Sequence, residues 1–392
     1  MAQKQKDSLT LVGVGDNSPN RDDPPSVFQH CGDVFRKADI VFGQMEAPMS
    51  DRGMPMFGLY APSRLPAKNI SALTETGAGF DVMSFACNHA VDCGWEAFYD
   101  TIDALRKNNI AVIGAGKNIE EARKPAILER KGTKVGFLAY LSIVFPGLVA
   151  GDDLPGCVPL RASHFYEQLD FQPGTPPLVI TKLWPEDKTA MEEDIKKLRP
   201  QVDVLVVFMH CGLHFVPAIL PMYQKEAAHA AIDAGADLVL QCHAHILKGI
   251  EIYKEKAIFY GLANFARERT VRLPEMVRDG VRLPEIKKGG NELYIRAHTE
   301  LYDQYPIRYR DNPDRFKTII AKAVIQNKKI QRVTYIPAHI NPNLEPEVLT
   351  RKDPRAQEVF DYMKHISEAQ DLKVNLSWDG DEVLVSEAGQ KG

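Results

Sequence analysis

Residues 236–245, Ala236-Asp237-Leu238-Val239-Leu240-Gln241-Cys242-His243-Ala244-His245, pass from an apolar run straight into two imidazoles. Ala236 to Leu240 predicts a buried strand, and the polar residues that close it predict what its carboxyl end carries. In an extended chain the period of two turns both rings, His243 and His245, to one face. The same pattern recurs outward from this stretch. Val202 to Met209 ends at His210, Leu9 to Val14 at Gly15-Asp16, Ile40 to Met45 at Glu46, and Val82 to Phe85 at Asn88-His89. Ile110–Ile113, Lys134–Tyr140 and Ala257–Tyr260 read as further strands, the last leading to Asn264. Helical spacing lies between them, as in Trp95 to Asn108, where Phe98, Ile102 and Leu105 recur at intervals of three or four. Strands alternating with helices predict an α/β fold, with a largely parallel or mixed sheet and helices outside it.

In such sheets ligands gather at the carboxyl ends of the strands. Five strands therefore bring Asp16, Glu46, Asn88, His89, His210, His243 and His245 toward one edge. All seven offer oxygen or imidazole donors, which suit divalent ions of intermediate hardness such as Mn, Zn or Fe. They outnumber the ligands of one tetrahedral ion, so the set predicts two ions bridged by a carboxylate. A single histidine at a strand end is ordinarily just a hydrogen-bonded residue; the coincidence across five strands carries the reading. His229, among alanines on a helix, reads as structural. The six cysteines lack framework spacing and any CxxC pair, so they read as reduced packing residues. Cys87, Cys211 and Cys242 each neighbour a candidate ligand.

The composition sets the class. The chain has 392 residues, 44% hydrophobic and 26% charged, which is enough apolar material for a sizeable core and excludes a disordered chain. With 48 basic and 52 acidic residues there is no basic excess, so no nucleic-acid partner is expected. No apolar stretch is long enough to span a membrane and the first residues are polar, so a cytoplasmic protein with no membrane partner is expected. The Pro- and Gly-rich region Pro146–Pro185 has no period and predicts a loop-rich excursion. Helices are expected at Thr189–Leu198, Met222–Ala234 and Ala356–Gln370, and strands at Ala321–Ile325, Ile330–Ile336 and Glu382–Val385. These features divide the chain into a catalytic domain (1–268), a charged insert or flap (269–320) and a C-terminal segment that completes the core sheet and adds a terminal helix (321–392). The arginines near the flap, Arg267, Arg269, Arg272 and Arg282, read as a solvated face or as contacts to an anionic substrate.

The ordered motifs resemble the CapA-like family, named for a poly-γ-glutamate capsule synthesis protein and part of the calcineurin-like metallophosphoesterase superfamily. Gly15-Asp16, Phe42-Gly43-Gln44-Met45-Glu46-Ala47-Pro48 and Ala78 through His89 carry the first part of the resemblance. Gly114-Ala115-Gly116, His210-Cys211-Gly212, Asp233 through Val239, His243-Ala244-His245 and Gly261-Leu262-Ala263-Asn264-Phe265 carry the rest. The resemblance covers about residues 8–268. It implies a two-sheet α/β sandwich flanked by helices, the calcineurin-like metallophosphoesterase fold, here with a C-terminal extension, and with metals at one sheet edge. By the same resemblance Asp16, Glu46, Asn88, His210, His243 and His245 are metal ligands, Glu46 is the bridging carboxylate, and His89 protonates a leaving group or stabilises charge. Three departures stand out. Asp16-Asn17-Ser18 lacks the histidine usual in the superfamily's first motif. His210-Cys211-Gly212-Leu213-His214 places His214 where the family has an acidic residue, as a general base, an extra ligand, a substrate contact or a purely structural residue. Capsule proteins commonly carry a membrane anchor, and none is expected here.

The function expected first is metal-dependent hydrolysis of an amide or phosphoester in a small or peptide-like anionic substrate, with His89 and His214 as the proton-transfer residues. The alternatives are metal-assisted epimerisation at an amino-acid or peptide carbon, with the two histidines on opposite faces, and a non-catalytic accessory role in capsule synthesis.

Overall fold

The computed structural model describes residues 8–56, 63–170, 177–268 and 312–387. Two large sheets dominate, and four parallel strands run consecutively in each. In the first sheet these are Leu9–Ser18, Ile40–Met45, Val82–Ser84 and Ala111–Ile113. In the second they are Thr133–Leu141, Val204–Cys211, Leu238–His243 and Lys256–Phe259. The central strands are buried along their whole length, which is why they read as continuous apolar runs rather than as alternations. The chain is thus a mixed α/β fold of stacked sheets flanked by helices, as the sequence predicts.

The two sheets face each other across one core. Phe42 of the first lies 5.9 Å from Phe137 of the second, nearly parallel to it, and 5.2 Å from Phe208. A truncation such as Phe42→Ala would remove a large part of this contact, typically about 3–5 kcal/mol. A second core lies where helices Pro185–Leu198 and Met222–Ala234 press Met191, Ile195, Ala227 and Ala231 onto Leu205, Val207 and Val239. Helices Gly94–Lys107 and Pro354–Glu368 supply Phe98, Ile102, Val359 and Met363 to the larger core. Among the described residues no helix is long and apolar enough to cross a membrane.

The C-terminal part of the chain joins the first sheet. Lys317–Gln326 pairs antiparallel with Leu9–Ser18, and Lys329–Ile340 pairs with Lys317–Gln326. Asn264–Arg267 pairs in parallel with the far end of the same Leu9–Ser18 strand. Both flanks of the segment 269–311 are therefore anchored on one strand, and Thr318 Oγ1 donates to Leu262 O at 3.3 Å. Most of the expected flap, with Arg269, Arg272 and Arg282, lies outside the described residues. From Lys317 onward the stretch assigned to it is sheet.

The structure corrects three local expectations. Within Pro146–Pro185 the strands Ala162–Glu167 and Leu178–Leu183 form an antiparallel ribbon. Phe165, Tyr166, Leu178 and Val179 are exposed on it, so no inside–outside alternation marks it in the sequence. Helix Pro185–Leu198 starts four residues before Thr189, with Pro185 at its first position, where a missing N–H costs nothing. Finally, the extended stretch does not run on through both histidines: His243 closes the strand Leu238–His243 and His245 lies beyond it. Their φ angles are +106° and +56°, so the period-two argument does not apply to them.

Candidate metal centre

Each candidate ligand stands where a parallel strand ends or is about to end. Asp16 lies late in Leu9–Ser18, Glu46 directly follows Ile40–Met45, and Asn88 and His89 follow Val82–Ser84. His210 is next to last in Val204–Cys211, and His243 is last in Leu238–His243. Gly15 allows this convergence. A Cβ there would sit 1.9 Å from Ala263 O, and the close approach lets Asp16 N donate to that oxygen at 3.0 Å.

The side chains form two clusters that share Glu46. In the first, His245 Nδ1 faces Asp16 Oδ2 at 3.0 Å and Asn264 Oδ1 at 2.9 Å, and His245 Nε2 lies 3.6 Å from Glu46 Oε1. In the second, His210 Nε2 faces Asn88 Oδ1 at 2.8 Å, His243 Nδ1 at 3.0 Å and Glu46 Oε2 at 3.7 Å. The backbone turn at His243 and His245 explains the split: it sends one ring to each cluster. All six residues expected as ligands are thus brought together.

The donor set fits cations. A neutral ring nitrogen carries at most one proton, yet His210 Nε2 and His245 Nδ1 each face two or more atoms bearing lone pairs. Asp16 Oδ1 and Glu46 Oε1 are buried with no hydrogen-bond partner. Burial pushes the carboxyls of both Asp16 and Glu46 above the ordinary range, Asp16 further because Glu46 lies beside it. Burial also drives His210, His243 and His245 well below the usual imidazole range, so these rings are neutral, as ligands must be. Two buried carboxylates beside neutral imidazoles are costly without a positive charge to offset them. Asp16, Glu46 and His245 would hold one ion; Glu46, His210, His243 and Asn88 would hold the other.

The two expected proton-transfer residues border this centre in different states. His89 Nδ1 lies 2.6 Å from Asp92 Oδ2. Burial would lower this imidazole, but the charge and hydrogen bond of Asp92 outweigh it and raise its pKa. The His214 ring stands 4.0 Å from that of His243 and 5.1 Å from that of His245. Burial and the cation of Arg267 bring His214 down to about 4. Its loop is tied down by Lys248, whose Nζ donates to the carbonyls of Val216, Pro217 and Ile219. Leu220 N donates to Gln370 Oε1 at 2.8 Å.

Sequence reasoning missed Asp92, Asn264 and Lys248 as supporting residues. Asp92 follows His89 by three positions in an irregular turn with no period to mark it, while the motif Gly261 through Phe265 already pointed at Asn264. His229, read as structural, is held by Glu251 Oε2 at 2.9 Å, away from the centre.

A family model described as bacterial capsule synthesis protein PGA_cap matches residues 5–269. The capsule biosynthesis protein CapA of Bacillus anthracis is 26% identical over 271 residues, covering 67% of this chain and 60% of that protein. The PGA biosynthesis protein CapA of Bacillus subtilis is 25% identical over 298 residues, covering 75% and 70%. The matched stretch thus spans about two thirds of these relatives' length or somewhat less. Among solved structures, the calcineurin-like phosphoesterase YfkN from Bacillus subtilis aligns with 93% of this chain and 99% of its own at 10% identity and a TM-score of 0.40. With its family's motifs standing at the strand ends where the two donor clusters meet, the chain belongs to the bacterial capsule synthesis family, the CapA-like family its sequence resembles.

Proposed function

We propose that this protein is a metal-dependent hydrolase that cleaves an amide or phosphoester in an anionic, peptide-like substrate. The observation that carries the reading is the pair of donor clusters joined at Glu46, with a buried unpartnered oxygen on Asp16 and another on Glu46. Divalent ions held there would polarise the scissile carbonyl or phosphoryl oxygen and offset the charge that develops on it. Asp92 occupies His89 Nδ1 and favours the charged ring, which leaves Nε2 to deliver a proton to the leaving group. His214 stays neutral and is placed to accept a proton. The guanidinium of Arg267 acts electrostatically on Asp16, Glu46, His89, His210, His214 and His245, so a substrate anion would meet a positive field beside the centre. The relatives' names place them in capsule biosynthesis, which favours a carboxylate-bearing amide over a simple phosphoester.

Elemental analysis of protein purified without chelator, set beside His243→Ala, tests the reading. About two transition-metal ions per chain in the parent and a clear loss in the variant are expected, followed by turnover in a screen of amide and phosphoester substrates. A parent that takes up no Mn or Zn overturns it and leaves an accessory role in capsule synthesis. A second reading, epimerisation, draws on the opposite protonation states of His89 and His214. It requires exchange of a substrate carbon-bound hydrogen with deuterated solvent and no bond cleavage.

A further inference from the structure

We propose that Cys87 is a thiolate ligand of the cation position formed by Glu46 and His210, so that the two positions of the centre differ in kind. The inference rests on the metal reading above and adds to it a sulfur donor and a metal preference. Cys87, Glu46 and His210 are all buried, and one ligand atom from each lies within 4.8 Å of the others. Cys87 Sγ is 3.3 Å from Glu46 Oε2, the same oxygen that lies 3.7 Å from His210 Nε2. Two ligand atoms on one tetrahedral zinc, with bonds of about 2.3 Å to sulfur and 2.0 Å to oxygen, stand roughly 3.5 Å apart. The Cys87 S–H donates to Glu46 Oε2 at 3.3 Å, a separation close to that of two ligands on one ion.

The backbone N–H of His89 donates to Cys87 Sγ at 3.3 Å. The other two thiols beside ligands are placed differently. Cys211 belongs to the apolar layer under helix Met222–Ala234, and Cys242 Sγ lies 3.2 Å from Ala263 O. The group Asp16, Glu46 and His245 includes no sulfur, although the Cys242 thiol beside it hydrogen-bonds Asp16. Thiolate selects zinc and iron(II) over manganese and magnesium, whereas carboxylate and imidazole accept the harder ions. The centre is then an unequal pair, with a softer ion on the His210 side and a harder one on the Asp16 side. As the sulfur–metal bond forms, the Cys87 S–H bond breaks and its proton leaves to solvent.

Cobalt(II) loading of the full chain tests this. The parent protein should show visible ligand-field bands and, in addition, a sulfur-to-cobalt charge-transfer band in the near ultraviolet. Cys87→Ser should keep the first and lose the second, while Cys211→Ser keeps both. The same Cys87→Ser change should weaken zinc binding by about 10- to 100-fold and leave manganese binding nearly unchanged. X-ray absorption of the zinc-loaded parent, which needs no variant, should show a sulfur neighbour at about 2.3 Å. Ligand-field bands without charge transfer, or a charge-transfer band that survives in Cys87→Ser, overturn the thiolate assignment and leave the metal reading standing. A parent with no cobalt bands at all overturns both.

Discussion

His89 and His214 border the same centre, yet their surroundings shift them in opposite directions. An anion, Asp92, holds His89 and favours its charged ring. The buried amine of Lys248, which burial brings down to about 7, holds the loop of His214, and positive charge from Arg267, His89 and Lys248 disfavours protonation there. In the proposed hydrolase one residue type would thus serve as proton donor in one place and proton acceptor in the other, set apart by its neighbours.

The contrast can be broken most sharply at His89 itself. His89→Ala should lower turnover by about 10²- to 10⁴-fold with metal content unchanged, read by steady-state rates beside elemental analysis. A larger loss in His214→Ala than in His89→Ala would reverse the roles. Lys248→Met comes next. It frees three carbonyls and loosens the His214 loop, and a misplacement of about 1 Å can cost up to about 10²-fold in kcat. Metal content should again hold; its loss would show that Lys248 supports the ligands rather than the loop. Asp92→Asn sharpens the comparison through pH. Asp92 raises the His89 pKa, so the protonated donor persists to higher pH in the parent and activity falls as pH rises through that value. Without the anion this alkaline limb should move to lower pH, with an activity loss of about tenfold. A limb that does not move would remove His89 as the acid.

The smallest effect lies away from both histidines. Arg21 bridges Glu268 and Glu345 at 2.8 and 2.7 Å, and Asn341 and Gln29 also donate to Glu345. Burial alone would raise the Glu345 carboxyl, but these bonds hold it at about 2. A carboxyl depressed in the folded state stabilises above the ordinary carboxylate range and loses that contribution as pH falls toward about 2. Glu345→Gln should cost about 1.5–3 kcal/mol near neutral pH, with the difference from the parent shrinking in acid, as chemical denaturation would measure.

The legible and illegible parts of this molecule differ in physical kind. The candidate ligands are legible because parallel strands buried on both faces read as apolar runs, and a polar residue closing such a run has few reasons to be there. Glu46, Asn88 and His210 announce themselves in this way. His243 and His245 were found for a reason that does not hold: their backbone is left-handed, and the rings serve different clusters. Asp92 was illegible because an irregular turn carries no period. The ribbon Ala162–Glu167 with Leu178–Leu183 was illegible because exposed apolar residues leave no pattern of burial to read.

The shared anchoring of the two flanks of segment 269–311 has a practical consequence. Asn264–Arg267 and Lys317–Gln326 are held by the same strand, and Thr318 reaches back to Leu262 across the gap in sequence. The exit and the return are fixed by pairing that does not depend on what joins them. A short linker spliced between Glu268 and Asn312 is therefore expected to leave the pairing of Leu9–Ser18 with both flanks in place.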